Sequence, residues 1–275
     1  RGALPDSYGN MILRVGSSTP VMFSCHLDTQ NMTDGIQLFD MKRNVIRLAD
    51  PISTCLGADD GAGIWLMLNM IDAGVEGMYI FHQDEELGGG GSMYIAKQTP
   101  ELLDGIDFAI AFDRRGTRDI ITHQYGGRCC SDEFANSLAD IIGLGHKPTH
   151  GVFTDTANYT RLVNECTNVS TGYYNEHVPF EVLDIDYLAA LRDRLVVADY
   201  SRLVSARDKT LVESSPYHYF TDRLHDDDNA FFDVESDEYL ERVEGGNHEE
   251  GEKSHGKFRR RKRRKRRRSM ERASV

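Results

Sequence analysis

Tryptophan occurs once in these 275 residues, proline seven times and cysteine five times, and no apolar run approaches the roughly 20 residues a membrane helix needs. A membrane-spanning segment is therefore not expected, and no membrane partner with it. The cysteines, Cys25, Cys55, Cys129, Cys130 and Cys166, are odd in number and include no C-x-x-C pair. Neither a sulfur-bound zinc nor a secreted disulfide framework is indicated, and a reducing cytoplasm is the expected compartment. The opening Arg1-Gly2-Ala3-Leu4-Pro5 has no apolar signal core, and Arg1 stands where an initiator Met would, as in a fragment or a processed chain.

What is present is a 40% hydrophobic chain with a formal charge of −12, enough for one large α/β domain with a tail or for two small domains. The net charge hides an asymmetry. Residues from about Asp222 to Glu252 are mostly acidic, whereas Lys257–Arg268 is almost entirely Arg and Lys. Periodicity fades after about residue 200, so we expect a body over residues 1–207 and a charged, disordered tail over 208–275. The run Arg259–Arg268 suits unselective contact with nucleic-acid phosphates, or a nuclear-type address. Folding back on the acidic stretch, or plain solvation, are the blander readings. No aromatic residue interleaves it, which argues against base readout.

Between residue 10 and about 200, short β-rich runs alternate with helical stretches. Strands are predicted over 10–15, 21–26, 45–48, 77–82, 108–112, 120–123 and 168–173. Helices are predicted over 61–73, from 92, and over 131–142, 156–163 and 184–198. This alternation implies a three-layer αβα sandwich around a central mixed, largely parallel sheet. Such sheets bind ligands beyond the carboxyl ends of their strands. His26, Asp84-Glu85-Glu86, Asp113 and His177 each end or follow a predicted strand, so they should gather on one sheet edge.

The segments that carry them are Ser24-Cys25-His26-Leu27-Asp28-Thr29, Leu56-Gly57-Ala58-Asp59-Asp60-Gly61-Ala62-Gly63, Gln83-Asp84-Glu85-Glu86-Leu87-Gly88, Ala111-Phe112-Asp113-Arg114 and Gly172-Tyr173-Tyr174-Asn175-Glu176-His177. They offer imidazoles and carboxylates without thiolate, a donor set that suits Zn²⁺ or a similar divalent ion in a catalytic site. Singly each is weak. A His-x-Asp is usually a satisfied polar pair, Asp59-Asp60-Gly61 could be a helix cap, and Asp84-Glu85-Glu86 could be a solvated turn. Gly88–Gly91 lacks the Lys-Ser/Thr of a phosphate loop, which leaves close backbone passage or a flexible turn. His82, His123, His146 and His150 have no evident partner and read as structural, and Cys25, on the face opposite His26, reads as core.

In this order the segments resemble the co-catalytic metallopeptidase superfamily, which includes dizinc aminopeptidases, peptidase T and related carboxypeptidases and deacylases. The resemblance spans roughly residues 8–200. It implies two divalent ions, Zn²⁺ by preference: one on His26 and Asp113, one on Glu86 and His177, with Asp59 bridging. It also implies Asp28 as the carboxylate behind the His26 imidazole, a cis Asp59-Asp60 bond, and Glu85 as general base for the attacking water. Asp155 resembles a Thr-Asp element with a capping or supporting role.

The chain departs from that family in two ways. The interval from Asp113 to His177 leaves no room for an inserted lid domain, which favours a compact aminopeptidase-like form. Arg114 and Arg115 follow the ligand Asp where a small residue is common. A guanidinium there could hold a substrate carboxylate, and a salt bridge to Asp84 or Asp119 is the plain alternative. The expected function is hydrolysis of a peptide by an aminopeptidase-type exopeptidase. The alternatives are an N-acyl amidohydrolase or deacylase on the same core, and a nucleic-acid-associated protein with a vestigial hydrolase domain.

Overall fold

The computed structural model describes residues 2–17, 19–30, 36–49, 53–124 and 127–211. The acidic stretch and Arg259–Arg268, with the readings made for them, lie outside the described residues. The elements in chain order are β1 (Leu4–Pro5), β2 (Met11–Val15), β3 (Val21–His26), β4 (Gln37–Asp40), β5 (Val45–Leu48), α1 (Ala58–Asp72), β6 (Gly77–His82) and α2 (Gly90–Gln98). There follow β7 (Phe108–Arg114), β8 (Asp119–Gln124), β9 (Gly127–Arg128), α3 (Asp132–Ile142), β10 (Lys147–His150), β11 (Glu165–Ser170), β12 (Tyr173–Tyr174), β13 (Val182–Asp184) and α4 (Ile185–Leu195).

The main sheet runs β1-β2-β6-β3-β7-β11-β8-β10, with β9 paired to β8. Its centre, β6-β3-β7-β11, is parallel throughout, with antiparallel strands at β2 and at the β11–β8 junction. Every residue of β3, β6 and β11 is buried, as expected of strands covered on both faces. Alternation divides them. Val21, Phe23 and Cys25 join Tyr79 and Ile110 against Leu66, Met67 and Met70 of α1, together with side chains of α3 and α4. Met22, Met78, Ile80 and Ala109 face the other way, onto Ile95 of α2 and Tyr159. The chain thus passes from β3 to β6 through α1 on one face, then from β6 over to β7 through α2 on the other. This is a three-layer αβα sandwich, with the chain reversing direction across β3 where such sheets form their crevices. No helix among the described residues is long and apolar enough to cross a membrane.

Two local expectations need correction. The strand expected at 168–173 lies at Glu165–Ser170, because its polar residues are all buried and hydropathy gives no signal there. The helix expected over 156–163 is only a 3-10 turn, Asp155–Tyr159. Thr156 Oγ1 turns to the Thr167 carbonyl and Thr160 Oγ1 to the Ala157 carbonyl, and such side-chain bonds compete with helical ones. The strand expected at 45–48 is β5, and it lies outside the main sheet. It joins a separate antiparallel sheet, β12-β13-β5-β4, which stands beside the crevice and carries the loop between β12 and β13.

Candidate metal centre and active site

Because β3, β6, β7 and β11 are parallel, their carboxyl ends open on one edge. His26 is the last residue of β3, Asp84-Glu85-Glu86 follow β6, and Asp113 lies at the end of β7. His177 comes from the β12–β13 loop, and Asp59 from the first turn of α1. The five meet. Asp59 Oδ1 is 3.0 Å from His26 Nε2, and Asp59 Oδ2 is 3.0 Å from His177 Nε2. Asp113 Oδ1 stands 3.4 Å from His26 Nε2, and Glu86 Oε1 stands 3.0 Å from His177 Nε2. The atoms fall into two pairs, His26 with Asp113 and His177 with Glu86, with one Asp59 oxygen turned to each.

The frame behind these side chains is built from hydrogen bonds. The Asp59-Asp60 peptide is cis. Asp60 Oδ2 accepts from the His26 N–H at 3.1 Å and Oδ1 from the Gly63 N–H at 3.0 Å, so its carboxylate ties α1 to β3. Gly63 is required at that contact, since a Cβ there would lie 2.1 Å from the Phe112 carbonyl oxygen. His26 Nδ1 is 2.9 Å from the Asp28 main-chain oxygen, whereas the Asp28 carboxylate is 3.6 Å away. That carboxylate also accepts from the N–H groups of Glu85 and Glu86, each at 3.1 Å. Asp28 therefore holds the imidazole through its backbone oxygen, backs it with its carboxylate, and ties the Glu85-Glu86 turn through the same side chain. Asp84 and His177 both have positive φ, 58° and 65°, which is uncommon for residues with a side chain and marks turns held by their surroundings.

Three residues of this frame were not singled out in the sequence. Glu181 is fully buried and accepts from the N–H groups of Leu56, Gly57 and Asp59 at 2.7–2.9 Å, which fixes the loop that presents Asp59. Asn168 pairs with the backbone of Asp113 in both directions, at 2.9 and 2.7 Å. The Tyr173 hydroxyl donates to Asp113 Oδ1 at 3.2 Å. Only Glu181 left a trace, as a lone acid amid Val178-Pro179-Phe180 and Val182-Leu183. The histidines read as partnerless do have partners. His82 contacts Ser24, Tyr159 and Asp155, His123 and His150 have ring centroids 4.1 Å apart, and His146 meets the Tyr187 hydroxyl. Asp155 is buried beside His82, 3.3 Å away, rather than serving as a helix cap. Arg114 donates through Nε to Asp119 at 2.9 Å, and Arg115 through Nη1 to Glu176 at 2.8 Å.

Electrostatics and donor chemistry together fit a cation. His26 with Asp60 and Asp113, and His26 with Asp59 and Glu86, bring ligand atoms within 4.8 Å of one another. Glu86 Oε1 is buried, makes no hydrogen bond among the described residues, and stands 3.0 Å from His177 Nε2. The neighbouring Asp59 and Glu86 carboxylates raise His177 to about 11, and burial, followed by the charge of Asp113, pushes Glu85 up to about 9. Carboxylates that hold a proton on His177 this firmly also suit a divalent ion. The cluster floors a cleft of about 430 Å³, walled by Gln30, Gln124, Phe153, Tyr173 and Glu176 among others.

A family model, peptidase family M28, matches residues 10–225. The chain belongs to peptidase family M28. No curated protein matches it, but solved structures do. An M28 chain of this shape is similar to a tripeptidase from Staphylococcus aureus, with a TM-score of 0.57 at 14% identity over 68% of this chain and 83% of that one. It is also similar to aminopeptidase PepT from Bacillus cereus, with a TM-score of 0.53 at 15% identity over 69% and 84%. The TET1 peptidase of Pyrococcus horikoshii gives 0.52 at 16% identity over 72% and 89%. Identities this low speak for a shared fold. Membership of M28 makes the chain a metal-dependent peptidase, and the cluster above is where its fold has the donors for a metal.

Proposed function

We propose that the protein is an aminopeptidase-type exopeptidase working with two Zn²⁺ ions, one held by His26 and Asp113 and the other by Glu86 and His177, with Asp59 shared. The reading rests on Asp59, whose two oxygens lie 3.0 Å from different imidazoles while each imidazole also meets its own carboxylate. One carboxylate flanked in this way matches the demand of a two-ion site, in which a bridging group spans roughly 3.5–4 Å. When bound, such ions acidify a water and polarise the scissile carbonyl.

The chain's own residues supply the rest. Glu85 lines the cleft beside the ligands, with its backbone N–H fixed by Asp28. Its carboxylate takes the proton from the attacking water and later passes it to the departing amine. Burial and the charge of Asp113 raise it in the ion-free site, and two cations bound beside it would favour the carboxylate form that accepts the proton. Asp28, Asp60, Asn168 and Glu181 keep the ligands in place through the backbone bonds described above. Burial of all five cysteines as free thiols supports a reducing cytoplasm as the compartment. Residues 1–207 are assigned as the catalytic body, whose end is pinned where Glu165 accepts from the N–H groups of Ala206 and Arg207.

The decisive experiment combines metal analysis of the purified protein with a screen of aminoacyl and N-acyl substrates, with and without chelator. Two equivalents of zinc and chelator-sensitive release of N-terminal residues are expected. Cleavage of N-acyl compounds alone would move the assignment to a deacylase, and failure to take up any divalent ion would overturn it.

A further inference from the structure

The cleft over the metal cluster is lined by Asp59, Glu85, Glu86, Asp113 and Glu176, and against these acids by two guanidinium groups, Arg114 and Arg115. The two arginines are not equivalent. Arg115 spends Nη1 on Glu176, the residue before His177, and so braces the loop that carries this ligand. Arg114 is clamped from behind. Its carbonyl accepts from the Thr171 N–H at 2.7 Å, and its Nε donates to Asp119, whose own N–H is held by Ser170 Oγ at 3.1 Å. The side chain is 18% exposed, and its two Nη groups make no hydrogen bond among the described residues. A guanidinium fixed at Nε and open along its Nη edge presents two parallel N–H donors, the fork that accepts a carboxylate bidentately.

We propose that Arg114 is a specificity-determining residue that anchors a carboxylate of the substrate, so that this peptidase prefers peptides carrying one close to the scissile bond. The proposal rests on the hydrolase reading above and names its substrate class. With Asp59, Glu86 and Asp113 compensated by the bound ions, Glu85 and Glu176 remain as acids in the cleft, and a substrate carboxylate finds its hydrogen-bonding partner at Arg114, one residue beyond Asp113. Two sources supply the same group: an acidic N-terminal side chain, or the free C-terminus of a dipeptide.

The test pairs each carboxylate substrate with a neutral twin, Glu- against Gln-p-nitroanilide for the side chain and Leu-Gly against Leu-Gly amide for the C-terminus. In the zinc-loaded wild type, kcat/KM for at least one acidic member should exceed that of its twin. Arg114→Gln should cut that ratio roughly ten- to hundredfold, the worth of a hydrogen-bonded charge pair, and Arg114→Lys, which keeps the charge but not the fork, should cut it less. Calorimetry reads the same anchor without turnover. In a zinc-loaded Glu85→Gln background the acidic member should bind more tightly than its twin, and adding Arg114→Gln should erase the difference. Equal rates and equal affinities for both members in proteins that retain Arg114, or an equal loss on both in Arg114→Gln, would overturn the anchor while leaving the hydrolase standing. Hydrolysis of no pair by the metal-loaded wild type would instead remove the aminopeptidase reading, with the calorimetric difference still deciding the anchor.

Discussion

Two acids of opposite function show how much a single side chain can carry here. Glu85 stands beside the proposed metal ligands without joining either pair, so Glu85→Gln should lower kcat by about 10²–10⁴-fold and leave metal content near that of the wild type, as read by elemental analysis. Loss of metal in that variant would mean that Glu85 is a ligand. Glu181 touches neither pair, yet three backbone N–H groups depend on it. Glu181→Ala leaves the buried N–H groups of Leu56 and Asp59 unmet at about 1–3 kcal/mol apiece. We expect a lowered urea midpoint and weakened zinc retention, because the N–H of Asp59 is one of the three. A variant with wild-type stability and zinc affinity would contradict the positioning role.

At the scale of elements, the site depends on how closely α1 approaches the sheet. Gly63 lets the helix pass the Phe112 carbonyl and the Asp60 carboxylate, whose oxygens would lie 2.5 and 2.6 Å from an added Cβ. Gly63→Ala must shift backbone on β7 or rotate Asp60, and overpacking of this kind typically costs about 1–3 kcal/mol. Both movements disturb neighbours of the proposed ligands, so melting temperature and activity should fall together, and a stable, fully active variant would show that α1 has room to move. Elements differed in how plainly they could be read. β6 and β7 were evident because central strands are continuous apolar runs, whereas β10 was passed over because Pro148 lies within it. It is tolerated there because β10 pairs only with β8, at the sheet's edge.

The whole molecule should respond to metal and to acid separately. Ions that bind the folded state alone stabilise it by mass action, so a chelator should lower the melting temperature and zinc should restore it. Acid acts elsewhere. Burial holds His146 neutral down to about 4, whereas an unfolded imidazole titrates near 6.5. Between these values the unfolded chain binds more protons, so this contribution to stability is present above about pH 6.5 and is lost as pH falls. In chelator-treated protein, His146→Asn should lose about 2 kcal/mol less than the wild type between pH 7 and pH 5 by urea unfolding. An identical pH dependence in both would show that His146 is not held neutral. Asp155, which burial raises to about 7, contributes in the opposite sense, so the comparison must be between variants rather than on the wild type alone.

By itself the amino-acid sequence determined the alternating α/β pattern and the kinds of donor at the strand ends. Period-two and helical hydrophobicity are local properties, and His26, Asp59, Glu86, Asp113 and His177 lie in short segments that keep their order. It could not decide partnership. Whether Asp28 serves the imidazole by side chain or backbone, which buried acid holds the Asp59 loop, and whether Arg114 or Arg115 keeps an open edge all depend on atoms far apart in the chain. The β11 strand, polar yet wholly buried, makes the same point: Glu165 is tolerated there because Ser131, Ala206 and Arg207 supply its donors. Hydrogen bonds and ion pairs are decided by angstrom-scale geometry, and only the packed sheet, with β3, β6, β7 and β11 opening on one edge, supplies it.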